Sequence, residues 1–132
     1  MTLEPLLSAS PATRLHAFAA MAAFALGAVQ LVRPKGDGSH RAIGWLWAAA
    51  MITVAASSFF IHEIDQWRGF SWIHLLSIQV LVTLPLAIHA ARSGKIRRHR
   101  STMVGMFIGA LVVAGLLTLL PGRIMHAVLF GP

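Results

Sequence analysis

Four long apolar runs, each free of Lys, Arg, Asp and Glu, divide the chain. They cover residues 15–32, 42–61, 69–91 and 101–122. Each run is close to the roughly 20 residues that an α-helix needs to cross the hydrocarbon core of a bilayer. The strict alternation of membrane β-strands is absent. The pattern therefore predicts four transmembrane helices, whose backbone polar groups are satisfied within each helix.

Composition supports the membrane interpretation. Of the 132 residues, 57% are hydrophobic and only 11% are charged, whereas an average soluble domain carries about 25% charged residues. A small soluble protein has too much surface to cover with so few charges. We expect an all-α integral membrane protein, with residues 1–132 forming a single domain built as a four-transmembrane-helix bundle. The absence of cysteine excludes disulfides and thiolate metal sites.

The basic residues predict the direction of the helices. Eight of the eleven Lys and Arg lie in or beside the loops that follow the first and third runs. Because cytoplasmic loops are enriched in Lys and Arg, we expect both loops in the cytoplasm and both termini outside the inner membrane. The net charge of +7 then favours anionic lipid headgroups over nucleic acid as the partner. The arginines expected at that lipid interface are Arg41, Arg97, Arg98 and Arg100.

The two halves of the chain repeat one order of features: a histidine at the outer end, a span, a basic loop and a His-Arg pair. His40 follows His16 by 24 residues, and His99 follows His74 by 25. This repeat indicates one helical hairpin used twice in the same direction. The His-Arg pairs are also typical of residues that anchor helix ends at the headgroups.

The histidines suggest a cofactor site. His74 and His89 lie about 22 Å apart along the third helix and about 60° around it, so one face would carry an imidazole near each membrane boundary. Such an arrangement is typical of membrane cytochromes that hold haem through imidazoles of neighbouring helices. We expect His16 to complete an axial pair with His74 on a b-type haem near the outer surface, with Arg14 or Arg123 beside the propionates. No partner for His89 is evident within a span.

Two other chemistries remain open. His62, Glu63, Asp65 and His74 offer imidazoles and carboxylates that suit a divalent metal. Alternatively, the histidines are structural, and the chain is a non-enzymatic subunit or assembly factor of a larger complex, or a small proton- or metal-coupled carrier that acts as a dimer. No catalytic triad or phosphate-binding loop occurs in the sequence, so we expect no enzyme active site.

A surface for a partner helix is predicted in the fourth span. Gly105 and Gly109 form a GxxxG pattern, which allows two helix backbones to approach closely in a membrane. We expect this face to contact a partner membrane protein or a second copy of the chain.

Three segments resemble a bacterial family of multi-spanning membrane proteins called domain of unknown function 2306. The segments are "HRAIGWLWAAAMITVAASSFFIHEI", "GFSWIHLLSIQVLVTLPLAIHAARSGKIRRHRSTM" and "LLTLLPGRIMHAVLFG". The resemblance covers roughly residues 14 to 131 and rests on the paired His-Arg motifs, "SSFFIHEI", "IHLLS" and "PGR". It implies a membrane protein and supplies no activity.

Overall fold

A computed structural model describes residues 1–61 and 72–131, with the side chains of residues 72 and 73 left aside. Within these ranges the chain is helical and contains no strand, which confirms the all-α prediction. The helices are α1 (Glu4–Leu7), α2 (Pro11–Val32), α3 (Gly38–Ser58), α4 (Trp72–Arg92), α5 (Ile96–Met106), α6 (Ala114–Leu117) and α7 (Ile124–Phe130). A π-helical segment, Phe107–Val113, joins α5 to α6, and the whole stretch Ile96–Leu117 is called the α5–α6 helix below.

Side-chain caps set the first residues of α2 and α3. The Ser10 hydroxyl accepts the backbone N–H of Thr13 at 3.2 Å, and Pro11 occupies the first turn of α2. The Asp37 carboxylate accepts the backbone N–H of His40 at 2.7 Å. This hydrogen bond lowers the pKa of Asp37 below its ordinary value. Both helices therefore begin before the apolar runs that their sequences contain.

The long helices pack against one another in a ring, which we call the four-helix core. α2 packs against α3, α3 against α4, α4 against α5, and the π-helical segment returns to α2. Among the described residues, α2 and α4 make no extensive contact, nor do α3 and α5, so each of these pairs lies across the core. Apolar side chains from all four helices fill the centre: Ala23, Trp47, Ala48, Met51, Ala55, Val80, Leu84, Ala87, Met106, Phe107 and Leu111.

Three described helices are long and apolar enough to cross a membrane: Pro11–Val32, His74–Arg92 and Ile96–Leu117. Their most apolar windows are only 11%, 33% and 17% buried within the chain. Large apolar side chains therefore cover the outside, a surface that suits lipid and not water. α3 has comparable length but is not among the three, because His40, Arg41, two tryptophans, three serines and two glycines lower its mean hydropathy.

The two chain ends pack together beside the start of α2. The Thr2 N–H donates to the carbonyl of Val128 in α7 at 3.0 Å. Leu6 of α1 is fully buried, and Val128 is buried as well. The contacts of α1 with α7 and with α2 place both termini at the end of the core where α2 begins.

Gly27 allows the closest approach in the core. A Cβ added to Gly27 would lie 2.5 Å from the ring of Phe107 and 3.0 Å from the indole Nε1 of Trp47. The Phe107 ring has little freedom to move, because it is buried and stacks on Phe24 with ring centroids 5.5 Å apart. The absence of a side chain at Gly27 thus lets α2 contact both α3 and the π-helical segment.

We predict that Gly27→Ala lowers the melting temperature of the detergent-purified protein. Overpacking of this kind costs about 1–3 kcal/mol, more than the roughly 0.5–1 kcal/mol that Ala gains over Gly within a helix. The matched control is Gly105→Ala, at an exposed helical position where an added Cβ meets nothing within 4 Å. Its melting temperature should equal or exceed that of the native chain. Equal melting temperatures for the two variants would contradict the close contact at Gly27.

Candidate functional site

The four-helix core has two chemically different ends. The terminal end contains the start of α2, the end of α3 and the start of α4, together with α1 and α7. The basic-loop end contains the connections 33–37 and 93–95 and the first turns of α3 and α5. Among the described residues, every buried side chain of a polar residue lies at the terminal end: Thr13, Ser57, Ser58, His74 and Ser77. This buried polar cluster is the candidate site.

Two serines connect α3 to α4 within the cluster. The Ser58 hydroxyl donates to the carbonyl of Ala55 at 2.7 Å and is hydrogen-bonded to the hydroxyl of Ser77. Either hydroxyl can be the donor in the bond between Ser58 and Ser77. Both side chains are buried, so the bond satisfies two polar groups in an apolar setting and fixes α4 against α3.

His16 is oriented by the backbone of α3. Its Nδ1 lies 2.9 Å from the carbonyl of Val54 and 3.1 Å from the hydroxyl of Ser57. A carbonyl can only accept, so Nδ1 carries the hydrogen, and the lone pair of the neutral imidazole lies on Nε2. A hydrogen bond from the other ring nitrogen to a carbonyl is how metal-ligating histidines are commonly held.

His74 lies at the same end, on the other side of α3. Its side chain is 4% exposed, and its ring packs against Phe59 with centroids 5.6 Å apart and planes inclined by 38°. His16 and His74 belong to α2 and α4, the two helices that lie across the core from each other. The structure thus brings both predicted axial residues to one end, with α3 contacting each of them.

His89 does not share the buried face of α4, in contrast to the expectation from its spacing. Its side chain is exposed, and its Nε2 lies 3.3 Å from the hydroxyl of Ser93. The buried positions on α4 are His74, Ser77, Val80, Leu84, Ala87 and Ala90. The centre of this stripe lies about 100° around the helix from His74, on the side away from His89. The angle between the two histidines was predicted correctly, but His74 lies at the edge of the buried stripe.

The two arginines expected beside a cofactor lie at the terminal end. Arg14 is half-buried, and its guanidinium donates to the carbonyl of Leu7 at 3.5 Å. Arg123 is half-buried and lines a cavity of about 250 Å³ together with His126. The His126 Nδ1 donates to the carbonyl of Leu119 at 2.7 Å. Neither this cavity nor a second one of about 320 Å³ between α2 and α3 is lined by His16 or His74.

The alternative metal site cannot be followed in the structure. His62, Glu63 and Asp65 lie outside the described residues, and only His74 of that set is described. Within residues 1–61 and 72–131, no three His, Asp or Glu side chains lie close enough together to hold a metal ion. The divalent metal site through His62, Glu63, Asp65 and His74 stays a prediction.

The basic-loop end carries the arginines assigned to lipid. Arg41, Arg97, Arg98 and Arg100 are all exposed, as residues that reach headgroups must be. Arg92 also lies at this end, with its guanidinium 5.8 Å from the ring centroid of Trp45. Contact of these side chains with anionic lipid stays a prediction.

His40 and His99, which the sequence assigned to the membrane interface, lie at the basic-loop end, and both side chains are half-buried. Burial lowers the pKa of His40, and the positive charges of Lys35 and His99 lower it further. In the sequence, the repeated His-Arg pair pointed to these two histidines, because it places one of them in each hairpin.

Gly105 and Gly109 contact nothing inside the described part of the chain. A Cβ added to either would meet no atom within 4 Å. Their close-approach surface is therefore not used for packing between the helices described above. Its contact with a partner helix or a second copy stays a prediction.

Comparison with known proteins agrees with the fold. The family model described as Predicted membrane protein (DUF2306) matches residues 13–130. No curated protein and no solved structure gives a significant match. The family match begins at Thr13 of the polar cluster, ends at the last residue of α7 and includes all four helices of the core. The chain belongs to the DUF2306 family of predicted membrane proteins.

Proposed function

We propose that the protein is a small redox-associated protein of the inner membrane that binds b-type haem near the outer surface through His16 and His74. The observation that carries this proposal is the placement of the two imidazoles. They lie at one end of the four-helix core, on two helices that face each other across it. Bis-histidine haem needs one imidazole from each side of the iron.

The surroundings of the two histidines fit axial ligands. The Val54 carbonyl holds the proton of His16 on Nδ1, so Nε2 is the basic nitrogen of the neutral ring. His74 is buried beside Phe59, and burial in an apolar environment excludes water from a redox centre. Two ligands suffice for haem, whereas a divalent ion usually takes at least three from the protein, and no such group lies within the described ranges.

Bound haem would supply one-electron chemistry, and the residues around it would set its orientation and environment. His16 and His74 would hold the iron, and Ser58 and Ser77 would fix the distance between α3 and α4. The half-buried Arg14 and Arg123 carry the positive charge that propionates require. The chain's own contribution would therefore be to hold two imidazoles at the terminal end of the core, where two half-buried arginines also lie.

The proposal includes four membrane crossings with both termini outside. α2, α4 and the α5–α6 helix have the length and hydropathy of spans. α3 has 21 residues and packs against both α2 and α4, so a membrane that contains its two neighbours also contains α3. Eight of the eleven basic residues lie at the basic-loop end, which favours that end in the cytoplasm.

A second candidate function is that of a subunit or assembly factor of a larger membrane complex. Its support is the uncovered Gly105 and Gly109 surface, where no other side chain of the described chain lies within 4 Å of an added Cβ. A partner helix could approach the backbone closely there. This role is compatible with haem binding, because the two surfaces are separate.

Membrane topology can be tested with single cysteines, because the native chain has none. Ser8→Cys lies at the terminal end and Ser93→Cys at the basic-loop end, and both positions are exposed. We expect a membrane-impermeant maleimide to label Ser8→Cys in intact spheroplasts. It should label Ser93→Cys only after the membrane is permeabilised. The reverse pattern would contradict the orientation, and labelling of both variants in intact spheroplasts would contradict three crossings between the two positions.

Haem binding can be tested on the detergent-purified full chain from haem-replete cells. We expect a Soret band and, after reduction with dithionite, sharp α and β bands. The haem-to-protein ratio should fall in both His16→Ala and His74→Ala, because each removes one axial ligand. His89→Ala is the matched control, since His89 is exposed and contacts Ser93, and it should keep the native ratio. A flat spectrum of the native chain, or equal ratios in all four proteins, would overturn the proposal.

A further inference from the structure

We infer that the cavity between α1 and α7 binds a phosphate group through Arg123 and His126. The phosphate belongs either to a lipid headgroup at the membrane boundary or to a free phosphate ion. The site is separate from the proposed haem site, because neither His16 nor His74 lines this cavity.

The packing of α1 against α7 forms the cavity. It has a volume of about 250 Å³, and its lining comes from Pro5 of α1, from α7 and from the residues that flank α7. The backbone hydrogen bond from Thr2 to Val128, at 3.0 Å, holds the two helices together, and Leu6 is buried beside them. The same contacts that join the chain ends therefore define the walls of the cavity.

Two glycines keep parts of the lining free of side chains. Gly122 has a φ of +87° and Gly131 a φ of +90°, and both line the cavity. Residues with a Cβ rarely adopt such angles. No atom lies within 4 Å of a Cβ built on either glycine, so the backbone leaves open space on both sides of α7.

Arg123 brings a positive charge to the cavity. Its side chain is half-buried, and its guanidinium forms no hydrogen bond or ion pair with the described residues. Arg14, at the same end of the core, instead donates to the carbonyl of Leu7. Glu4 is the one acidic residue described at this end, and it is exposed and makes no ion pair with Arg123. A half-buried guanidinium without an acceptor is unfavourable, so this position favours an anionic ligand.

His126 supplies a second polar group to the same cavity. Its Nδ1 donates to the carbonyl of Leu119 at 2.7 Å, and its ring packs against Phe130 with centroids 5.1 Å apart. These contacts fix the ring and leave Nε2 without a partner among the described residues. When the imidazole is protonated, Nε2 carries a hydrogen that an anionic oxygen can accept.

The two side chains suit phosphate better than carboxylate. A guanidinium presents its N–H groups in a planar fork that matches two oxygens of either anion. The fork occupies both oxygens of a carboxylate, whereas phosphate has further oxygens that can accept from the imidazolium. A site that combines one guanidinium with one imidazole can therefore use more of the oxygens of phosphate.

The apolar surroundings are compatible with a lipid as the source of the phosphate. Ile124 and Ala127 line the cavity beside the two basic side chains, and Phe130 of the same helix is 68% exposed. Basic pockets beside membrane helices bind phosphorylated lipid headgroups in this manner. The acyl chains would cover the apolar surface while the phosphate contacts Arg123.

The first test is equilibrium dialysis of the detergent-purified full chain against radiolabelled inorganic phosphate at constant ionic strength. We expect one phosphate per chain, with binding weakened about tenfold or more in Arg123→Gln and weakened in His126→Ala. Arg33→Gln is the matched control, because it removes the same charge from an exposed position at the basic-loop end, and it should bind as the native chain does. Arg123→Lys keeps the charge without the planar fork. Its affinity should lie between those of the native chain and Arg123→Gln, an order that a defect in folding would not produce.

A second measurement distinguishes the two sources of phosphate. Native mass spectrometry of the same proteins counts the phospholipids that remain bound after purification. One phospholipid on the native chain and on Arg33→Gln, but none on Arg123→Gln, would identify a lipid headgroup as the ligand. Binding of inorganic phosphate without a retained phospholipid would identify free phosphate. If neither ligand binds the native chain, or if both bind Arg123→Gln equally well, the inference is overturned.

The haem content of the same preparations separates this site from the proposed function. A lower haem-to-protein ratio in Arg123→Gln with unchanged binding of phosphate and phospholipid would assign Arg123 to the propionates and overturn this inference. Loss of phosphate binding in Arg123→Gln, measured against a native chain that contains no haem, would support this site and overturn the proposed function alone.

Discussion

The close approach of α2 to the π-helical segment at Gly27 is the contact on which the rest of the structure depends. This contact completes the ring of helices, because α2 would otherwise contact only α3 among the four long helices. Phe107 fills the space beside Gly27, and Trp47 and Phe24 pack around it. In a bilayer, no hydrophobic force drives helices together, so such close packing supplies the attraction. The middle of the core is accordingly apolar, and the polar groups lie at its ends.

Backbone carbonyls organise the histidines at both ends. His16, His99 and His126 each donate from Nδ1 to a carbonyl, at 2.9, 2.9 and 2.7 Å. The carbonyls that hold His16 and His99 belong to neighbouring long helices, so these two imidazoles depend on the packing of the core for their orientation. His89, which is exposed, has only a serine one turn away. The distinction between a positioned and a solvated histidine therefore follows from helix packing and not from the residue type.

The sequence predicted the helical class and the approximate place of the long helices, but not their ends. The apolar runs show which residues the hydrocarbon core of a bilayer accepts. A helix, in contrast, begins and ends where its terminal backbone groups are capped. α3 begins at Gly38 because Asp37 caps it, four residues before the run 42–61. The α5–α6 helix begins at Ile96 and ends at Leu117, so it includes three arginines and stops before Pro121. The π-helical segment leaves no signal in hydropathy, since all of its residues are apolar or glycine.

The candidate site, like the helices, could be predicted from the sequence only in part. Pairing His16 with His74 followed from the repeat, and the structure places both at one end of the core. The position of His89 on the surface depended on which side of α4 faces α3 and α5, and a spacing along one helix cannot determine that side. The same repeat also aligned His40 with His99, yet the adjacent arginines favoured an interfacial role for both.

The hairpin repeat predicted from the sequence offers a physical reason for the diagonal placement of His16 and His74. When two antiparallel hairpins pack side by side, corresponding helices lie diagonally across the core, as α2 and α4 do, and α3 and α5. A residue that occurs once in each hairpin therefore faces its counterpart across the centre. The His-Arg motif then combines two tasks at one helix start, since its histidine turns toward the core and its arginine toward the headgroups.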